Sequence, residues 1–430
     1  MNRTKKEINK TNNNQLDVQE ELLKEYGTSL IIFSLIKNND IISNDVAYDC
    51  YSIGKNMLYQ QLLRTKYKIV RIEEINGLKE QAIIFYVDAN PIDLKRLCIT
   101  IEDNEPLGCL FDYKVISYDG FIITRNKINV RKKITHIKTS DIQRFVNKAN
   151  SSYVATLATR ALLYEVSTAP KPGLVDRKDS GSHNDMDFFS FINSASSLYP
   201  FFEKCYLIGK ETSLKKPRET FKAIRWPGME AEGVMLASTN SSNTHKGAIF
   251  SIGIICAAIG RLNRNSWANI EKILKECSLM TKGLIQNDFK GITLDNATTA
   301  GQKLYVKYGI TGVRGEVENG FPTVINYGLP VLENGLKEGK SIDISGCAAL
   351  LTMLAHSTDT NMISRSNLHC QKETSAKLLK LLKDNPYPNK KELNMLNKEF
   401  INKNLSPGGC ADLLAVSYLL HFLKEKDDII

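Results

Sequence analysis

The chain has 430 residues, 42% of them apolar and 24% charged, with a formal net charge of +10. That length exceeds one typical core, so two domains are expected, and the composition is that of a globular protein rather than a disordered or fibrous one. The charge suits an anionic partner without choosing among nucleic acid, nucleotide and acidic protein. Nine cysteines contain no C-x-x-C pair, so reduced, cytoplasmic thiols are expected rather than structural zinc or a disulfide framework.

In chain order, residues 1–17 are rich in Asn and Lys and are expected to be disordered, with no apolar segment of the secretory kind. Residues 18–136 predict an α+β domain. Strands are expected over Ser29–Ile36, Tyr67–Ile72, Gln81–Asp88, Cys109–Ser117 and Phe121–Thr124, and helices over Val46–Leu63 and Pro91–Cys98. Tyr118-Asp119-Gly120 carries a hairpin signal. Residues 137–149 start a helix that leads into a second domain, 150–425. There helical spacing predicts Asp141–Val166, Met186–Ile208, Gly228–Leu236, Lys246–Leu262, Ile270–Leu284, Ala297–Tyr308, Gly346–Ala355, Lys372–Leu382 and Cys410–Leu423. The fold class is therefore multidomain, an N-terminal α+β domain followed by a mostly α-helical C-terminal domain. The longest apolar run, Ala248–Gly260, has thirteen residues, too few to span a bilayer, so no membrane segment is expected.

Four polar loops punctuate the helical part. Residues 170–187, PKPGLVDRKDSGSHNDMD, hold four aspartates, two lysines, an arginine and a histidine. Ser241-Ser242-Asn243-Thr244-His245-Lys246-Gly247 runs straight into an apolar helix, whose N-terminus beside Lys246 suits an anion or is simply capped. Gly312-Val313-Arg314-Gly315-Glu316 offers an arginine for bidentate phosphate contacts and a carboxylate for a metal or a hydroxyl, or else a salt-bridged turn. The fourth pairs Asp359-Thr360-Asn361 and Arg365 with Ser406-Pro407-Gly408-Gly409-Cys410-Ala411-Asp412, where two glycines permit close approach to a ligand or start the last helix. Carboxylates, cations and glycines recur together, the mixture that Mg²⁺ bound through few carboxylates and substrate phosphates requires. No phosphate-binding loop of the G-x-x-x-x-G-K-[ST] type and no G-x-G-x-x-G after a strand is present. His356, inside LLTMLAH, reads as a core residue.

Together the loops resemble triphosphoribosyl-dephospho-CoA synthase. The matching pieces are ALLYEVSTAPKPGLVDRKDSGSHNDMD, AEGVM to NTHKGAIF, GVRGEVENGFPTV, DTNMISR and SPGGCADLLA. The match covers about residues 150–425 in order, departing at Asn240-Ser241, where the family is expected to have glycine. The resemblance implies that ATP and 3′-dephospho-CoA are the substrates. The acceptor's ribose 2′-hydroxyl attacks the anomeric carbon of the ATP ribose, adenine leaves and the triphosphate stays, giving the precursor of the citrate lyase prosthetic group. A malonate-decarboxylase pathway uses the same precursor. Such a glycosyl transfer calls for carboxylates near an oxocarbenium-like centre, a base, an acid and a cationic cradle. On this reading Asp185, Asp187 and Asp359 are the magnesium candidates. Lys171, Arg177, Asn243, Lys246, Arg314, Asn361, Arg365, Gly408 and Gly409 bind substrate, and His183, His245, Asp176 and Glu316 are the catalytic candidates.

Residues 18–136 resemble the companion apo-citrate lyase phosphoribosyl-dephospho-CoA transferase, which implies the acyl carrier protein of citrate lyase as a partner. The family pattern H-P-L-G-R-L-F-D-I-D-V reads here with Glu105, Cys109 and Lys114 in place of histidine, arginine and the second aspartate, leaving Asp112. Two carboxylates two apart on a strand grip one Mg²⁺, and a lysine there opposes it. Either the transfer activity is lost and carrier docking or a folding role kept, or a divergent activity remains. A nucleic-acid-binding protein would segregate its cations from its aspartates, and here they are mixed. A catalytically dead scaffold would not need the intact loops.

Overall fold

A computed structural model of the chain describes residues 29–35, 68–76, 81–88, 111–116, 122–124 and 139–425. Its contacts divide it into two units, residues 1–149 and 150–429. In the first, β1 (Ser29–Leu35), β2 (Lys68–Asn76), β3 (Gln81–Asp88), β4 (Phe111–Ile116) and β5 (Ile122–Thr124) form one sheet in the order β2-β3-β1-β4-β5. Every pairing is antiparallel. The β-branched and aromatic residues of SLIIFSL and QAIIFYVD favour a pleated surface. β2 runs past the expected end at Ile72 to Asn76, because Glu73 and Glu74 continue the ladder against Ile84 and Ile83. On β4, Asp112 stands opposite Ser34 and Lys114 opposite Ile32. The two-residue period puts both on one face. The helices expected at 46–63 and 91–98, the expected disorder of residues 1–17, and Glu105 and Cys109 lie outside the described residues.

The rest of the described chain is helical. It comprises α1 (Thr139–Ser167), α2 (Phe188–Ser197), α3 (Tyr199–Glu211), α4 (Pro217–Ser238), α5 (Lys246–Arg261), α6 (Ile270–Thr281), α7 (Leu284–Asp288) and α8 (Ala300–Tyr308). After these come α9 (Gly312–Glu318), α10 (Leu329–Lys337), α11 (Ile342–His356), α12 (Thr360–Arg365), α13 (Leu368–Asp384), α14 (Lys390–Asn402) and α15 (Gly408–Lys424). A π turn at Val324–Gly328 leads into α10.

Helices α5, α11 and α15 are buried nearly all round, as helices without a polar face must be. Helix α15 packs against both α5 and α11. Against α5 lies α3, close enough that a Cβ on Gly209 would stand 2.1 Å from the Ala257 carbonyl oxygen, and one on Gly260 2.1 Å from that of Tyr206. Glycine at both contacts lets the two backbones touch.

Several boundaries differ from the sequence expectations for local reasons. The expected helix 186–208 breaks at Leu198, where Pro200 opens α3. The helix expected to begin at Gly228 begins at Pro217, and Pro227 sits buried inside it. Gly283, at φ 79°, stops α6 and starts α7. Helix α14 was missed although its signals are present. Asn389 and Glu392 form a capping box, and Leu393, Leu396 and Phe400 are buried at helical spacing. Among the described residues no helix is long and apolar enough to cross a membrane.

Candidate functional site

One cavity of about 960 Å³ opens in the helical unit. All four polar loops contribute to its wall, through His183 and Met186, Asn243 to Ala248, Gly312 to Glu316, and His356 to Asn361 with Ser406 to Asp412. Of the residues expected at the site, His183, His245, Glu316, Asn243, Lys246, Arg314, Asn361, Arg365, Gly408, Gly409 and Asp359 line it. Lys171, Asp176, Arg177, Asp185 and Asp187 do not.

Most of the charge in residues 170–187 is used to fold that loop. Lys171 is 1% exposed and its ammonium is paired with Glu165 of α1. Asp176 accepts the backbone N–H groups of Lys171 at 2.8 Å, Lys178 at 2.7 Å and Asp179 at 3.3 Å. Burial pushes its carboxyl up, and the N–H groups of Lys171 and Lys178 oppose the rise. Arg177 turns away from the cavity to grip Asp343 with two nitrogens, at 2.8 and 2.5 Å. Asp187 caps α2 in a reciprocal box with Ser190, whose hydrogen bonds hold its carboxyl below the usual range. Asp185 is 61% exposed.

The set expected for magnesium therefore does not assemble. Asp359 accepts N–H groups from Asn361 (2.9 Å) and Met362 (3.0 Å) on one oxygen and from Cys410 (2.7 Å) on the other. It ties α12 to α15, as Asp187 ties down α2. Among the described residues no three His, Cys, Asp or Glu side chains converge as a metal cage. The glycines of α15 serve the same joint, since Cβ atoms on Gly408 and Gly409 would stand 2.6 Å from Asn361 Nδ2 and 3.0 Å from Asp359 Oδ2.

His183 is clamped on both nitrogens. Arg365 lies 3.1 Å from Nδ1 and Ser406 Oγ 2.8 Å from Nε2. A guanidinium only donates, so Nδ1 accepts, and the proton on Nε2 goes to Ser406. Asp185, at 3.7 Å from Nδ1, is too far to compete. Burial and Arg365 lower the pKa of His183 further, so the ring is neutral at pH 7. Arg365 also donates to the Ser182 carbonyl and to Asn404.

His245 is 2% exposed and its Nδ1 meets Ser194 Oγ at 2.7 Å. Burial, with Lys171 adding to it, pulls its pKa down to about 3. Its Nε2 is buried and has no hydrogen-bond partner among the described residues. His356, expected in the core, is instead exposed at the cavity, because α11 ends there and the chain turns outward. Its ring stacks on Tyr327 with centroids 4.1 Å apart.

Two groups stand out on the wall by being held yet available. Arg314 donates Nε to Asp288 at 2.9 Å and lies 5.3 Å over the Phe289 ring. Its terminal nitrogens have no partner among the described residues. Glu316, two residues on along α9, is half-buried, and Thr323 donates its hydroxyl and its N–H to the two oxygens. Burial raises its carboxyl above the ordinary glutamate range, and Thr323 opposes the rise. Lys246 stands at the rim, 2.8 Å from Glu232, and Asn243 Oδ1 accepts the Lys246 N–H at 3.3 Å. Sequence reasoning missed Glu165 and Asp412, both on the cavity wall. Only the position of Asp412 in a glycine-led helix start hinted at it.

Residues 151–429 match the family of ATP:dephospho-CoA triphosphoribosyl transferases, and residues 5–136 match that of apo-citrate lyase phosphoribosyl-dephospho-CoA transferases. A probable 2-(5''-triphosphoribosyl)-3'-dephosphocoenzyme-A synthase of Streptococcus mutans serotype c is 35% identical over 291 residues, 65% of this chain and 98% of the relative. One of the same description from Photobacterium profundum is 39% identical over 283 residues, 63% of this chain and 88% of the relative. The protein CitXG of Leuconostoc mesenteroides subsp. cremoris is similar across both parts, 33% identical over 376 residues, 78% of this chain and 79% of that one.

Proposed function

Since the chain belongs to the ATP:dephospho-CoA triphosphoribosyl transferase family, we propose that its helical unit performs the transfer in the cavity that joins Arg314 to Glu316. The chain is a transferase that moves the triphosphoribosyl group of ATP to dephospho-CoA. Adenine leaves and the precursor of the citrate lyase prosthetic group forms. About 960 Å³ lies at the upper end of ligand pockets, which suits a reaction of two nucleotides.

Glu316 takes the proton of the attacking 2′-hydroxyl. Burial gives it a basicity above that of a solvated glutamate, and Thr323 fixes its direction. Arg314, already oriented by Asp288 and Phe289, supplies its free nitrogens to the triphosphate. Lys246, Asn243 and Asn361 complete the rim, while His183, Arg365 and Asp359 hold the loops in register. Magnesium enters this reading only as the counter-ion that ATP brings, and no step depends on a protein-held metal. The single observation that supports the reading is that a cation with unused donors and a raised, fixed carboxyl stand two residues apart on α9, both on the cavity wall. The test is adenine release from ATP in the presence of dephospho-CoA, compared between the wild type and Glu316→Gln.

For the front unit the reading is docking of the citrate lyase acyl carrier protein without group transfer. The supporting observation is the register of β4, with Lys114 on the face of Asp112, where a second carboxylate would be needed. Transfer of labelled prosthetic group to the apo carrier by the purified chain would contradict this. The reduced thiols and nucleotide substrates fit a cytoplasmic protein.

A further inference from the structure

Glu316 leaves half of the reaction unassigned. Adenine is a poor leaving group as an anion, and its departure calls for a proton donor. Most of the other titratable groups around the cavity are engaged. His356 bonds the Thr352 carbonyl through Nδ1 and stacks on Tyr327. Glu165 is paired with Lys171, Glu232 with Lys246, and Asp359 with three backbone N–H groups. His183 is neutral with both nitrogens bonded, and His245, at about 3, carries no proton to give from a charged ring.

Asp412 is different. It stands in the first turns of α15 and lines the cavity. Its carboxyl lies against the first turn of α5, with Oδ2 2.0 Å from the point where a Cβ on Gly247 would be. Glycine at 247 is what admits it. The Ala248 N–H faces it from α5, and the charged groups facing it are two more carboxylates, Glu165 of α1 and Asp359 before α12. No basic side chain pairs with it among the described residues. Burial, then Glu165, then Asp359 push its pKa up, which is the arrangement that keeps a carboxylic acid protonated at neutral pH. On the same helix end His245 lines the cavity, and its buried Nε2 has no hydrogen-bond partner among the described residues, an unmet demand that a polar ligand atom would satisfy.

We propose that adenine sits at the N-terminal end of α5, with His245 Nε2 on its edge, and that Asp412 is the acid that protonates it. The inference rests on the transferase reading above. The C1′–N9 bond breaks and its electron pair goes to adenine, while the Asp412 proton passes to a ring nitrogen, so neutral adenine departs. The acceptor oxygen bonds to C1′ as its proton goes to Glu316. Solvent then returns a proton to Asp412 and takes one from Glu316. Lys246 and the helix end, expected from sequence to hold phosphate, serve instead at the base's side of the cavity, and the triphosphate lies toward Arg314.

The test compares ATP with a ribose triphosphate whose base is a pyridinium, a group that leaves neutral with no added proton. Asp412→Asn in the full chain should lower the rate with ATP by about 10² to 10⁴-fold and leave the pyridinium reaction within a few fold of wild type. The wild-type rate with ATP should also fall as pH rises through the raised pKa of Asp412, and the variant should lack that alkaline limb. Gly247→Ala, which pushes the carboxyl aside, should reproduce the loss on ATP. An equal loss on both substrates, no loss on ATP, or a retained limb overturns the assignment. If the wild type does not turn over the pyridinium compound, the limb alone decides. Absence of adenine release by the wild type would instead sink the transferase reading itself.

Discussion

The loop of residues 170–187 and the stretch 406–412 differ in how their charge is used. The first holds four aspartates, of which Asp176 is bonded to three backbone N–H groups, Asp179 bonds Gly181 and Asn397, and Asp187 caps α2. The second holds a single aspartate, Asp412, which lines the cavity, takes the Ala248 N–H, feels the charges of Glu165 and Asp359, and has no basic partner among the described residues. Density of charge marks a loop that must be folded without a core, whereas a ligand site is marked by charge that the fold has left unmatched.

That contrast is sharpened first at the unmatched end. Glu316→Gln should reduce adenine release by about 100-fold or more. The base works when ionised and its pKa is raised, so the wild-type rate should drop as pH falls through a value above the ordinary glutamate range. The variant should lose that acid limb, and persistence of the limb would show that another group is the base. Arg314→Ala removes charge-assisted contacts of about 1.5–3 kcal/mol, so kcat/KM for ATP should fall roughly 10- to 100-fold with the melting temperature little changed.

At the matched end the effects should move from rate to stability. Asp176→Ala leaves three N–H groups without their acceptor and should cost about 2–4 kcal/mol, read as a lower melting temperature, with a near-normal rate per folded molecule. A rate collapse in a protein that melts normally would break the contrast. Asp185→Ala, at an exposed position, should change adenine release by no more than about twofold, as surface substitutions do. Smallest of all, Ser241→Gly should raise stability by up to about 1 kcal/mol in a melting curve. Asn240 and Ser241 both hold positive φ, 51° and 68°, where the family resemblance expects glycine.

Much of this was legible in the sequence, for reasons that can be named. The apolar run of α5 and the helical spacing in α1 encode their own burial, and the apolar runs of β1 and β3 encode their strands. The four loops encode their common site because their residue types match a known family in order. What the sequence did not encode is partnership. Nothing local says that Lys171 folds under Glu165, that Arg177 reaches Asp343 across 166 positions, or that Asp359 closes α12 onto α15. Those pairings exist only once the helices are packed. The helix expected from Gly228 likewise begins earlier, at Pro217, because a proline ordinarily marks a helix break and Pro227 instead sits buried inside α4.

The most direct measurement is a crystal structure of the full chain with dephospho-CoA and an unreactive ATP analogue. The account predicts the analogue's triphosphate against Arg314 and the acceptor 2′-hydroxyl within hydrogen-bond reach of Glu316. Density for the nucleotide on the Arg177–Asp343 face, outside the cavity, would contradict it.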